Sequence, residues 1–209
     1  MRSIVRADDA DRLAGGGLVA VRVAGIAALA STRDTPVAAT EHELREHDAI
    51  ALGVHRTAAS LPARFGTVFV DAAALAGALE ARAEALGAAL AGVGTRVELS
   101  VTLSWRDAAA PERAAPASGR EFLLALAARE RERREADRLV ARLIDELSVE
   151  RANVRHQSCP RTGVAAIVAL LVERDEVDGV RQAIASFGER AGDARVAVYG
   201  PLPPYSFAS

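Results

Sequence analysis

The side chains able to do chemistry are few and scattered. Four histidines stand at His42, His47, His55 and His156, and Cys159 is the single cysteine. Glu43 and His47 lie four residues apart in a stretch with helical periodicity, the spacing that lets two side chains reach one metal ion from one helix face. No second pair converges on them, because helical arithmetic sends His42 and His55 elsewhere. The expectation is a part-buried or cap-region histidine and no metal site. His156 and Cys159 are near neighbours, but a Cys–His nucleophile needs a third group to orient the base. With Pro160 adjacent, the pair reads as part of a turn. Gly15–Gly17 precede a run of strand formers, whereas a dinucleotide-binding glycine motif follows a strand and opens a helix. No two carboxylates fall in an evident apolar pocket. The census predicts no catalytic residue, no cofactor and no enzyme.

Composition narrows the classes further. The chain has 209 residues, a net charge of −2 and 50% hydrophobic residues, enough apolar material for a core. All 26 basic residues are arginine. Without lysine there is no phosphate-loop lysine and no Schiff-base chemistry. The near-neutral balance argues against nucleic-acid binding by bulk electrostatics. No apolar run reaches the roughly 18 residues of a membrane span, and MRSIVRADDADR carries acids where a signal peptide has its apolar stretch. The expectation is a soluble cytoplasmic protein with no membrane or nucleic-acid partner.

The elements follow from periodicity. Ser3–Ala7, Leu18–Val23 and Gly25–Ala30 read as strands, with Gly25 at a turn or bulge, and Ser31–Pro36 as a loop. Thr40, with Glu43 three residues on, forms a capping-box start for a helix over about 41–59. Leu61–Val70 has β-formers after Gly66, and Asp71 caps a single helix predicted over about 72–91. Arg96–Trp105 alternates strictly: Val97, Leu99, Val101, Leu103 and Trp105 face one way, Glu98, Ser100, Thr102 and Ser104 the other. Ala108–Ala117 reads as a linker, 118–147 as a long helix with a charged middle, 149–157 and 163–173 as strands, 175–190 as a helix and 194–200 as a last strand. The resulting fold class is α+β with two domains. The C-terminal domain, 96–200, has the split βαββαβ order of a ferredoxin-like fold. The N-terminal domain, 1–95, reads as a variant α/β sandwich, and 201–209 as a Pro/aromatic tail that cannot be helical.

Two segments are unusual for their type. Leu61-Pro62-Ala63-Arg64-Phe65-Gly66-Thr67-Val68-Phe69 sets a rigid proline, a charge and two aromatics around a permissive glycine. Tyr199-Gly200-Pro201-Leu202-Pro203-Pro204-Tyr205-Ser206-Phe207 is a stiffened apolar end that should dock, either on its own domain or on a partner.

Both segments resemble the gas vesicle F/L family, as do Gly25-Ile26-Ala27-Ala28-Leu29-Ala30-Ser31 and Ser118-Gly119-Arg120-Glu121-Phe122-Leu123. Arg-Phe-Gly-Thr and Pro-Pro-Tyr-Ser-Phe are the specific parts. The resemblance spans nearly the whole chain. It implies two α+β domains of ferredoxin-like character and an accessory role in building gas vesicles, the hollow protein-walled compartments that give buoyancy. The implied partners are the hydrophobic gas vesicle shell protein and other accessory proteins, the implied role an assembly chaperone or a minor wall component, and the implied location the gas vesicle. The motif residues expected to carry structure or interaction are Arg64, Phe65, Gly66, Thr67, Gly200, Pro201, Pro203, Pro204, Tyr205 and Phe207. An interface is expected where the Arg64–Phe69 segment and the Tyr205/Phe207 tail come close. The alternative is a small-molecule-binding or enzymatic ferredoxin-like protein with polar groups converging around Arg64 and His47.

Overall fold

The computed structural model describes residues 1–35, 38–106, 118–158, 163–192 and 194–208. The predicted linker 108–117 and the Cys159-Pro160-Arg161 turn lie outside these. The described residues form a mixed α+β structure with two antiparallel four-stranded sheets and six α-helices. They divide into two compact units, residues 1–98 with 202–209, and residues 99–201.

In the first unit, β1 (Ser3–Arg6), β2 (Val19–Val23), β3 (Ile26–Ala30) and β4 (Ser60–Pro62) lie in the order β2-β3-β1-β4. Val23 pairs with Ile26, so Ala24 and Gly25 alone make the β2–β3 turn. Both have positive φ, 45° and 84°, the twist of a type I′ hairpin. One face of this sheet is covered by a 3-10 turn at Ala7–Asp9 running into α1 (Ala10–Leu13), and by α2 (Glu41–Thr57). Val5, Ala10, Ala27, Leu29 and Val54 form a core there. The sequence reading missed the α1 segment, which has a single buried residue, Ala10, and too few turns to show a period. Thr40 Oγ1 accepts from the Glu43 amide at 3.3 Å, as the capping spacing predicted.

The helix predicted over 72–91 is two helices. α3 (Ala72–Glu80) and α4 (Ala83–Val93) are separated at Ala81–Arg82. α3 packs on the edge strand β2, whereas α4 packs on β1, β3 and β4. One straight rod does not serve both, and the alternation of leucines is unchanged by the break. The β-formers after Gly66 are the second correction. β4 ends at Pro62, and Val68–Val70 belong to no strand.

In the second unit, β5 (Val97–Trp105), β6 (Val154–Ser158), β7 (Val164–Val172) and β8 (Ala194–Leu202) lie in the order β6-β7-β5-β8. β7, almost wholly apolar, takes an interior position as its composition predicted. The helices are α5 (Gly119–Leu147), capped by Ser118 Oγ on the Glu121 amide at 3.2 Å, and α6 (Val177–Arg190). α5 packs on α6, β6 and β7 through Ala136, Leu139, Val140, Leu143 and Ile144. Its middle turns are exposed, as their charge predicted. The C-terminal residues contain one 3-10 turn, Tyr205–Phe207, where no helical structure was expected.

Candidate functional site

The Arg64–Thr67 segment is a tight turn. The Thr67 amide and Thr67 Oγ1 both donate to the Arg64 carbonyl, at 3.1 and 2.7 Å. Gly66 sits at φ +80° while Phe65 keeps a negative φ, the pattern of a type II turn, whose third position excludes a Cβ on energetic grounds. The turn is held from α2. His47, only 3% exposed, bonds the Ala63 carbonyl through Nε2 at 2.8 Å and meets the Phe65 ring edge-on with centroids 5.6 Å apart. On its other side Arg2 Nη1 lies 3.4 Å from His47 Nδ1. A guanidinium can only donate, so Nδ1 carries the lone pair and Nε2 the proton. Burial lowers the His47 pKa below its ordinary value, and the Arg2 charge adds to this against the opposing Ala63 bond.

A small ionic network surrounds that histidine. Arg2 also reaches Ser31 Oγ at 3.2 Å and Glu46 at 3.4 Å. Arg33 bridges Glu43 at 2.6 Å and Glu46 at 3.3 Å. The Arg33 bond holds the Glu43 carboxyl below the usual carboxylate range. Glu43 is therefore paired with Arg33, and His47 has both nitrogens engaged within the protein. Among the described residues no three His, Cys, Asp or Glu side chains group as metal ligands. Arg64 itself is exposed, and so is His156 in β6.

The tail residues take different places. Pro203 and Pro204 are buried in the first unit and Phe207 is 8% exposed there. Tyr205 Oη donates to Asp48 Oδ1 at 2.8 Å. Burial raises the Tyr205 phenol well above its ordinary value, and the Asp48 bond adds to it. The Ser206 amide and hydroxyl both donate to Glu98, each at 2.8 Å. Glu98 is 4% exposed, on the face of β5 that alternation had assigned to solvent. Burial raises its carboxyl, with the two Ser206 bonds opposing. Consecutive residues of α2 thus hold both unusual segments, His47 the turn and Asp48 the tail. Gly200 and Pro201, joined by a cis peptide, belong to the second unit, where Arg181 Nη2 donates to the Gly200 carbonyl.

Sequence reasoning singled out the segment through Phe69 but not the groove that it borders. A groove of about 810 Å³ opens in the first unit, with Arg2, Ser31, Arg33 and His47 among its polar lining and Val19, Val21, Phe65 and Val68–Val70 among its apolar lining. Val19, Val68, Phe69 and Val70 are 50%, 66%, 37% and 93% exposed. Three consecutive large apolar residues at a surface depart from the usual scatter of single ones. The available signal was a β-forming run with no polar alternation beside a glycine turn.

Three comparisons bear on this arrangement. Residues 4–209 match the family model described as gas vesicle synthesis protein GvpL/GvpF. Gas vesicle protein F of Streptomyces sp. (strain CB03234) is 32% identical over 203 residues, covering 87% of this chain and 84% of that one. Two crystal structures share the fold, each over 92% of this chain and 88% of theirs. GvpF from Anabaena sp. PCC7120 matches with a TM-score of 0.68 at 17% identity. GvpF from Microcystis aeruginosa matches with 0.70 at 15% identity. Among the described residues no helix is long and apolar enough to cross a membrane. With a family match over nearly its full length and a relative above 30% identity, the chain belongs to the gas vesicle synthesis protein GvpL/GvpF family.

Proposed function

We propose that this protein is an accessory factor of gas vesicle assembly that binds the hydrophobic shell protein before it is built into the wall. The observation that carries the reading is the exposed run Val68–Val70 beside Val19, bordering an open groove. Such a surface is costly to leave in water and is the kind that accepts an apolar partner. In this reading Arg64, Phe65, Gly66 and Thr67 shape the turn that presents the run. Pro203, Pro204, Tyr205 and Phe207 anchor the unit internally, since their side chains are seated on it. The alternative of an enzyme or small-molecule site around Arg64 and His47 draws no support from the geometry, as His47 is spent on Ala63 and Arg2. A ferredoxin-like reading of the second unit is supported by its order β5-α5-β6-β7-α6-β8 and strand order β6-β7-β5-β8.

The test is co-expression with the shell protein of the same operon. The shell protein should co-purify at a fixed ratio. Substituting Val68→Ser and Val70→Asp should abolish this while thermal stability is retained, because both side chains are exposed. Equal capture by the double variant would refute the groove as the site. An insoluble shell protein with no capture by the unmodified chain would refute the function.

A further inference from the structure

The groove's own backbone and charge say what kind of segment it takes. Val68, Phe69 and Val70 are neither in a strand nor in a helix, and among the described residues their N–H and C=O groups make no backbone hydrogen bond. Backbone polar groups left unpaired beside apolar side chains are the template for adding a strand. The groove's arginines are already neutralised, Arg2 by Glu46 and Arg33 by Glu43 and Glu46. Its remaining ionised lining is the exposed Asp34, the exposed Asp71 and the N-terminal ammonium, which is bonded to the Thr67 carbonyl at 2.9 Å. Asp71 Oδ1 accepts from the Ala74 amide at 2.7 Å. Two carboxylates against one ammonium leave an acidic rim.

We propose that the groove binds an extended apolar segment flanked by basic residues, which pairs with the free backbone of Val68–Val70 as an added strand and sets its cations at Asp34 and Asp71. This rests on the reading of the groove as the shell-binding surface and specifies the chemistry recognised there. A helix lying in the groove would use side chains only and leave the Val68–Val70 backbone to water, so backbone pairing separates the two modes. Extended pairing also suits a partner of alternating side chains, with Val19 and Val21 forming the apolar floor for every second residue.

The experiment uses the full chain and three fluorescein-labelled synthetic peptides, read by fluorescence anisotropy. One is a five-residue Val/Ile segment flanked by lysines, the second replaces the lysines with glutamates, and the third keeps the lysines but carries N-methyl groups on alternate backbone nitrogens. The lysine peptide should bind. The glutamate peptide and the N-methylated peptide should each bind about tenfold more weakly or worse, the loss of roughly one or two net hydrogen bonds or charge contacts. Asp34→Lys should reverse the charge preference, and as an exposed change it leaves the fold in place. Equal binding of the N-methylated peptide, equal binding of the glutamate peptide, or no binding of the lysine peptide would each overturn the proposal. If the shell protein co-purifies yet the N-methylated peptide competes for it as well as the lysine peptide, only the strand-addition mode fails. If the lysine peptide binds as expected and the shell protein is not captured, the mode stands and the shell-binding reading falls.

Discussion

Replacing His47 should loosen the turn that leads into Val68–Val70. The ring is 3% exposed, donates from Nε2 to the Ala63 carbonyl at 2.8 Å and packs edge-on to Phe65 at 5.6 Å and 89°. In His47→Leu the Ala63 carbonyl is left without its donor, at about 1–3 kcal/mol. Loss of the edge-to-face contact adds about 0.5–1.5 kcal/mol. Arg2 keeps Ser31 and Glu46. The expected loss is about 2–4 kcal/mol, and His47→Gln, which retains an N–H for Ala63, should lose about 1 kcal/mol. The assay is urea unfolding together with hydrogen exchange of the peptide covering residues 60–72, where the Thr67 amide reports the turn. The pH dependence has a definite sign. The folded pKa of His47 is lowered below its ordinary value, so the folded state binds fewer protons than the unfolded one. Its contribution is complete above about pH 6.5 and is lost as pH falls, with a slope of at most about 1.4 kcal/mol per pH unit. Arg2 and the N-terminal ammonium oppose the imidazolium and Asp48 favours it. The wild-type advantage over His47→Gln should therefore shrink between pH 7.5 and 5.5. Parallel pH profiles for the two proteins, or a His47→Leu cost below about 0.5 kcal/mol, would refute the reasoning.

Three further predictions follow from single contacts. Glu98→Ala removes the acceptor of both Ser206 donors and should cost about 2–3 kcal/mol, seen as faster exchange and earlier proteolysis of residues 202–208, with Glu98→Gln milder. Gly66→Ala should cost about 1–2 kcal/mol in urea unfolding, because nothing lies within 4 Å of an added Cβ and the cost is that of φ +80° alone. Ala24→Asn should raise stability by about 0.5–1 kcal/mol, since it makes an Asn-Gly type I′ turn where alanine now sits at φ 45°. An unchanged or lowered urea midpoint would contradict that assignment.

At the start of α5, Phe122, Leu123, Leu124 and Leu126 are all more than half exposed.

The local features were legible in the sequence wherever a short-range rule decides them. Thr40 and Glu43 made a cap because both partners lie within one turn. Val97, Leu99, Val101 and Leu103 declared a buried strand face because side chains alternate along extended backbone. Arg64–Thr67 and Pro203–Phe207 stood out by residue type, and the structure forms a tight turn at the first and seats the second on the first unit. Only the tertiary structure decided what depends on distant partners. Glu98 looked like a solvent-facing residue until Ser206, more than a hundred positions away, supplied its donors. The leucines of 72–91 cannot reveal that β2 and the strands β1, β3 and β4 need separate helices. Val68–Val70 have every propensity of a strand, but among the described residues they pair with no neighbouring backbone, and β4 already ends at Pro62. That depends on where the other strands lie, and it leaves an apolar run at the surface.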